Sequence, residues 1–313
     1  MIGQRPPSFS PRVAIIGAGS VGSTAAYATA IRNIVSDIVL IDINEQKEAG
    51  EVMDIADGLC FMETGGMKGG DFTDAQNADV IVLTAGAPQK PGETRLELVD
   101  KNVAIVKTIF KKIGRVSRSA MVLVVANPVD VLTALVQNIT GLPHAQVFGS
   151  GTTLDTARLK THVARLARVS PHDVHGYVLG EHGDTEFVAW STVTVGGVPI
   201  QKLPFFSASR AKKIEDSIRK EAYEIIQCKG ATFFGIGLVI ADILEAIFYN
   251  QHKILPLSTQ SMHCETASHV CLGTPVVLGR RGIERQWPLS LTAKEKKHIR
   301  QSAKVLSQYL ARI

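Results

Sequence analysis

Cysteine is scarce in this chain: Cys60, Cys228, Cys264 and Cys271 are the only four in 313 residues, and none forms a C-x-x-C pair. That excludes a dense disulfide framework and fits a reducing cytoplasm better than secretion. A large charge excess is also missing, since 34 basic against 29 acidic residues leave only +5. The one sharply basic stretch, 294–304, has no interleaved aromatic residues. It reads as the solvated face of a surface helix rather than a nucleic-acid patch. No apolar run reaches the ~20 residues that a membrane span needs. The longest, 233–248, is interrupted by Asp242 and Glu245. Residues 1–11 carry Pro6, Pro7 and Pro11 but no apolar signal-peptide core, so they read as a loose tail.

What the chain does have is apolar content, 45% against 20% charged, enough for a large core. The first half alternates β-branched runs at 13–16, 37–43, 78–85, 120–126 and 146–148 with segments of helical period at 23–31, 46–59, 97–113 and 129–139. Strands that are apolar at nearly every position belong to a parallel sheet covered on both faces. The expectation is a doubly wound α/β domain over residues 1–149, with its ligand crevice at the carboxyl ends of the strands. After Gly149 the order becomes mixed. Helices are expected at 154–168, 208–227, 232–249 and 293–310, with strand-like runs at 174–179 and 187–195 and a strand pair around 269–278. Residues 150–313 are therefore read as a second, α+β domain packed closely on the first.

Five motifs carry chemistry. Gly17-Ala-Gly-Ser-Val-Gly22 follows the first strand and opens a helix. Gly17 permits the tight turn, Gly19 lets the backbone approach a pyrophosphate, and Gly22 lets helix pack on strand, while the helix N-terminus faces the phosphates. Asp42 then closes the second strand 20 residues after Gly22. A carboxylate there accepts from a ribose diol and repels a 2′-phosphate, which favours NAD over NADP. Gly180-Glu-His-Gly-Asp184 places His182 between glycines; it reads as a general acid/base, a metal ligand or a structural loop histidine. Leu154-Asp-Thr-Ala-Arg158 puts Asp155 and Arg158 on one helix face. They are either an intrahelical ion pair, or an orienter for the histidine and a two-pronged clamp for a substrate carboxylate. The segment 86–95, with two prolines and two glycines, suits a loop that closes over a ligand, and Lys90 and Arg95 would bring it positive charge. Asn127, in Ala126-Asn-Pro128, ends another strand at the same crevice, as a cap or a donor to ligand.

Together these motifs resemble the lactate/malate dehydrogenase family, over roughly residues 12–310 and in family order. Within it the chain looks most like the bacterial NAD-dependent L-lactate dehydrogenases. The resemblance implies a Rossmann domain with a second substrate domain, and hydride transfer between NADH and pyruvate. It implies that His182 is the proton donor and acceptor, Asp155 its orienting partner, and Arg95 the mobile-loop residue that polarises the carbonyl. Arg158 becomes the carboxylate clamp, Asn127 a contact to both substrate and nicotinamide, and Thr232 a substrate-pocket residue. Gly17, Gly19, Val21, Gly22, Asp42 and Ile236 become cofactor contacts. Gln89 stands where an arginine would mark a malate enzyme. A homotetramer and a cytoplasmic location follow from the same likeness, and no metal is implied. Lys160 and His175 occupy the positions at which fructose 1,6-bisphosphate acts across a subunit interface in activated members. There a lysine replaces the usual arginine, keeping the charge but losing the fork.

Three features are read as decoys. His263, Cys264, His269 and Cys271 look like zinc ligands, but their spacing matches no standard finger and the segment departs from the family's usual hairpin. Tyr249 and Lys253 mimic the Tyr-x-x-x-Lys pair of short-chain dehydrogenases without its serine context, too late in the chain. Asn138-Ile-Thr140 has the form of a glycosylation acceptor, irrelevant in a cytosolic protein.

Overall fold

The computed structural model describes residues 11–63, 65–88, 95–260 and 270–312. Its strands are β1 (Arg12–Ile16), β2 (Asp37–Ile41), β3 (Gly66–Gly69), β4 (Val80–Leu83), β5 (Met121–Val124) and β6 (Val147–Gly149), then the short pairs β7 (Val174–His175), β8 (Val178–Leu179), β9 (Phe187–Val188), β10 (Thr194–Val195) and β11 (Val198–Pro199), and finally β12 (Lys253–Gln260), β13 (Cys271–Gly279) and β14 (Gly282–Gln286). The helices are α1 (Ser20–Ile31), α2 (Glu45–Asp57), α3 (Arg95–Ile113), α4 (Val129–Thr140), α5 (Thr153–Ala167), α6 (Ala208–Lys229), α7 (Phe234–Phe248) and α8 (Ala293–Leu310).

One sheet runs β14-β13-β12-β6-β5-β4-β1-β2-β3. From β6 to β3 its strands are parallel. The order 6-5-4-1-2-3 reverses between β1 and β4, the switch point at which such sheets bind ligands. Alternation explains the unbroken apolar runs. Ile15, Leu40, Val82 and Leu123 pack in a core on one face of the sheet. Ile16, Ile41, Leu83 and Val124 pack in a core on the other. The antiparallel strands β12 to β14 join at a single register pair, Ser258 with Gly149. A third core, built from Leu159, Val163, Val174, Val178, Val188, Ile214 and Ile218, holds α5 and α6 against the short strands.

The doubly wound architecture is as expected, and three local readings are corrected. The run 174–179 is broken at Gly176, which has φ 151, so it makes β7 and β8 rather than one strand. The run 187–195 is interrupted by a 3-10 turn at Trp190–Thr192. Helix α7 starts at Phe234, which leaves Thr232 in the preceding turn. Strand β3, Gly-Met-Lys-Gly, has no apolar pattern and exists through its parallel pairing with β2.

Candidate active site

The turn between β1 and α1 is built as its glycines predict. Gly17 has φ 110, and a Cβ there would press on Ala85 N at 2.8 Å and Thr84 Oγ1 at 2.9 Å. A Cβ on Gly22 would collide with the Gly17 carbonyl oxygen. Gly19 is different: a Cβ there would meet nothing within 4 Å, so the space before the N-terminus of α1 is open. That opening, before a helix whose Gly19 N-cap makes no side-chain bond, is what a pyrophosphate requires. Asp42 directly follows β2, and its carboxylate accepts from Ala18 N at 2.6 Å and Asn44 N at 2.9 Å. It therefore stands against the glycine turn, where a ribose diol would lie. Val21 on α1 and Ile236 on α7 are both half-buried against the same core. A dinucleotide fits these residues.

The turn after β8 presents His182. Its Nδ1 lies 2.7 Å from Asp155 Oδ2 on α5. The other oxygen of Asp155 accepts from Arg158 Nη1 at 3.0 Å. Asp155 and Arg158 are nearly buried, with side chains 2% and 7% exposed, whereas His182 retains 28%. The carboxylate accepts a hydrogen bond from Nδ1–H and leaves Nε2 to exchange a proton with a ligand. Burial alone would lower the imidazole pKa. Asp155 outweighs burial through its charge and hydrogen bond, with help from Glu186 and Asp130, and raises it from 6.5 to about 9. Burial would raise Asp155, but His182 and Arg158 reverse this and hold it below its ordinary value. The histidine is thus a stored proton at neutral pH, oriented by a charged partner.

The remaining expected residues divide. Asn127 is exposed at the end of β5, and its carbonyl accepts from Asn102 Nδ2 at 2.7 Å. Thr232 and Arg158 line one cavity of about 280 Å³. Arg95 begins α3, and Gln89 and Lys90 lie outside the described residues. Lys160 is partly buried; burial and the nearby Lys253 lower its amine pKa, while Asp242 opposes them. His175 is exposed on β7, and no hydrogen bond or ion pair joins it to Lys160 among the described residues.

One set of bonded residues joins the open glycine turn to Asp42, and another runs from His182 through Asp155 to Arg158. Comparison with known proteins gives this arrangement its family. The lactate/malate dehydrogenase NAD binding domain matches residues 11–149, and the lactate/malate dehydrogenase alpha/beta C-terminal domain matches 152–313. The chain belongs to the lactate/malate dehydrogenase family. It is 43% identical over 305 residues to an L-lactate dehydrogenase of Kosmotoga olearia, covering 94% of each chain. An L-lactate dehydrogenase of a Synechococcus strain is also 43% identical, over 95% of this chain and 97% of that one. Among solved structures, the minor L-lactate dehydrogenase of Enterococcus mundtii superposes with a TM-score of 0.92 at 38% identity, covering 97% and 98%. A lactate dehydrogenase from a deep-sea metagenome of the Medee basin gives 0.91 at 39% identity, covering 96% and 98%.

Sequence reasoning missed three residues that bond to or lie beside these candidates. Asp130, buried at the start of α4, accepts the His182 backbone N–H at 2.8 Å and the Ser258 hydroxyl at 2.5 Å. Burial raises its pKa to about 6 against the pull of those bonds. Asn102 on α3 binds both edges of the Ala87 peptide and the Asn127 carbonyl, stapling two loops of the crevice. Glu186 is buried beside Asp155 and His182, with ligand atoms of all three within 4.8 Å. Burial, then repulsion from Asp155, raise Glu186 to about 8. Only the G-E-H-G-D-x-E spacing hinted at Glu186; nothing local marked the other two.

The decoys also have places. Cys271 is buried on β13, where its thiol donates to Gln137 Oε1 at 3.5 Å and burial pushes its pKa up. His263, Cys264 and His269 lie outside the described residues. Tyr249 donates to the Asn33 carbonyl and Lys253 to Asp242, each at 2.6 Å, so they form no catalytic pair. Among the described residues no helix is long and apolar enough to cross a membrane.

Proposed function

We propose that this chain is an NAD-dependent L-lactate dehydrogenase that reduces pyruvate to L-lactate reversibly. The observation that carries the reading is the His182–Asp155–Arg158 chain, which puts a held proton beside a buried cation. A keto acid needs both, one for its carbonyl oxygen and one for its carboxylate. In this reading the bound cofactor, seated along Gly17, Gly19, Val21, Gly22, Asp42, Asn127 and Ile236, supplies and accepts hydride. Arg158 holds the substrate carboxylate with two parallel bonds. Thr232 bounds the pocket on the same side, and Arg95 stabilises charge growing on the carbonyl oxygen. His182 delivers its Nε2 proton to that oxygen, while Asp155 keeps the ring oriented and steadies the imidazolium before transfer.

Gln89 favours pyruvate over oxaloacetate, because a neutral amide leaves no unpaired charge against a methyl group. Residues 1–149 then carry the cofactor and 150–313 the substrate machinery. A cytoplasmic homotetramer, with fructose 1,6-bisphosphate acting at Lys160 and His175, completes the reading on family resemblance. The test is NADH consumption with pyruvate, oxaloacetate and 2-oxoisocaproate, with and without the sugar bisphosphate, followed by chiral assay of the product. Pyruvate should be preferred and L-lactate formed. Preference for oxaloacetate would point to a malate enzyme, and no NADH consumption with any of them to a non-catalytic NAD-binding protein.

A further inference from the structure

Glu221, on α6, faces the guanidinium that the proposed function assigns to substrate. Its Oε1 lies 3.6 Å from Arg158 Nε, and its Oε2 lies 3.1 Å from His162 Nε2. All three residues line the 280 Å³ cavity that Thr232 also borders. A two-bond clamp on a carboxylate needs two neighbouring N–H donors of the planar guanidinium. Here one N–H of Nη1 is committed to Asp155, and the Nε–Nη2 edge is faced at Nε by Glu221. Asp155 cannot give way, because its other oxygen orients His182. Glu221 can. Its distance to Arg158 exceeds a hydrogen bond, its side chain is 36% exposed, and it already has the closer partner in His162.

We propose that Glu221 is an internal stand-in for the substrate carboxylate, which occupies the open edge of Arg158 and is handed over to His162 when a keto acid binds. The proposal rests on the reading of Arg158 as the clamp. Glu221 touches no reacting atom, so it sets affinity for the anion and not the rate of the chemical step. It is an affinity-setting residue, weakening every carboxylate that relies on Arg158.

The test titrates oxamate, the amide isostere of pyruvate, into the enzyme–NADH complex, and measures KM and kcat for pyruvate. Glu221→Gln keeps the shape and removes the charge. It should tighten oxamate and lower the pyruvate KM about three- to tenfold, the size expected of one partly solvated charge, with kcat and Tm unchanged. Glu224→Gln removes the same charge from an exposed position on α6 and should leave KM as it was. His162→Leu deprives Glu221 of its alternative partner and should raise KM, but have no effect when combined with Glu221→Gln. An unchanged or higher KM in Glu221→Gln overturns the proposal while leaving the clamp intact. Failure of the wild type to bind oxamate overturns the clamp itself, and the proposal with it.

Discussion

His182 Nδ1 and Asp155 Oδ2 stand 2.7 Å apart, although the two residues are 27 positions apart and lie on a turn and a helix. The contact depends on both backbones being fixed. Asp130 holds the His182 main chain from below. The third core fixes α5 through Leu159 and Val163. An imidazole anchored at one nitrogen and at its own peptide has little freedom left, so its second nitrogen is presented in one direction.

The first consequence is a pH dependence with a definite sign. In the proposed function, reduction uses the protonated imidazole, whose pKa is raised to about 9. The kcat/KM for pyruvate should be flat at neutral pH and fall about tenfold per unit once pH rises through that value. Lactate oxidation uses the neutral ring and should rise with pH over the same range. The same shift is a stability statement. The contribution of His182 to stability is complete below its unfolded pKa near 6.5 and lost as pH rises through about 9. Steady-state pH profiles in both directions, with Tm measured alongside, check this.

Removing the Asp155 charge should move that profile. In Asp155→Asn the carboxylate that offsets burial is gone, so the break in pyruvate kcat/KM should shift to lower pH. Turnover should drop within the roughly 10²–10⁴-fold range of general acid–base catalysis. A profile that stays in place would detach Asp155 from the proton.

Gly22→Ala tests the cofactor turn on packing alone. The new methyl would collide with the Gly17 carbonyl and come within 2.9 Å of Thr84 Oγ1. Overpacking of this kind costs about 1–3 kcal/mol, and the backbone that yields is the one that must approach the pyrophosphate. A lowered denaturation midpoint and weakened NADH binding by fluorescence titration are expected together. Gly19→Ala, with open space at that position, should weaken NADH without the loss of stability.

These elements also mark how far the sequence can be read. Gly17, Gly22, His182, Asp155 and Arg158 stand out because each belongs to a short motif, but only the family resemblance chose among the roles open to His182, Asp155 and Arg158. Asp130 does not: its partners His182 and Ser258 are 52 and 128 residues away, and a carboxylate in a helix's first turn needs no such explanation. Glu221 was equally silent, since only the packing of α6 on α5 brings it to Arg158. The parallel strands β1, β2, β4, β5 and β6 were legible from two-sided burial, whereas β3 and the antiparallel β12 were not. The short ones between 174 and 199 were not, because glycines and 3-10 turns break the alternation that would reveal them.

Gln89 gives a prediction from sequence, as it lies outside the described residues. Gln89→Arg should supply a cation to the distal carboxylate of oxaloacetate and strand that cation against the methyl of pyruvate. The order of kcat/KM for the two keto acids should reverse. A variant that prefers pyruvate as strongly as the wild type would remove Gln89 from the substrate's distal group.

The central claim is that His182 carries the proton. It is tested most directly by single-turnover oxidation of bound NADH by pyruvate in His182→Gln, followed by absorbance at saturating pyruvate. The rate should fall by roughly 10²–10⁴-fold while NADH binds as tightly as in the wild type. A variant that retains more than about a tenth of the wild-type rate, well above that range, would contradict the account.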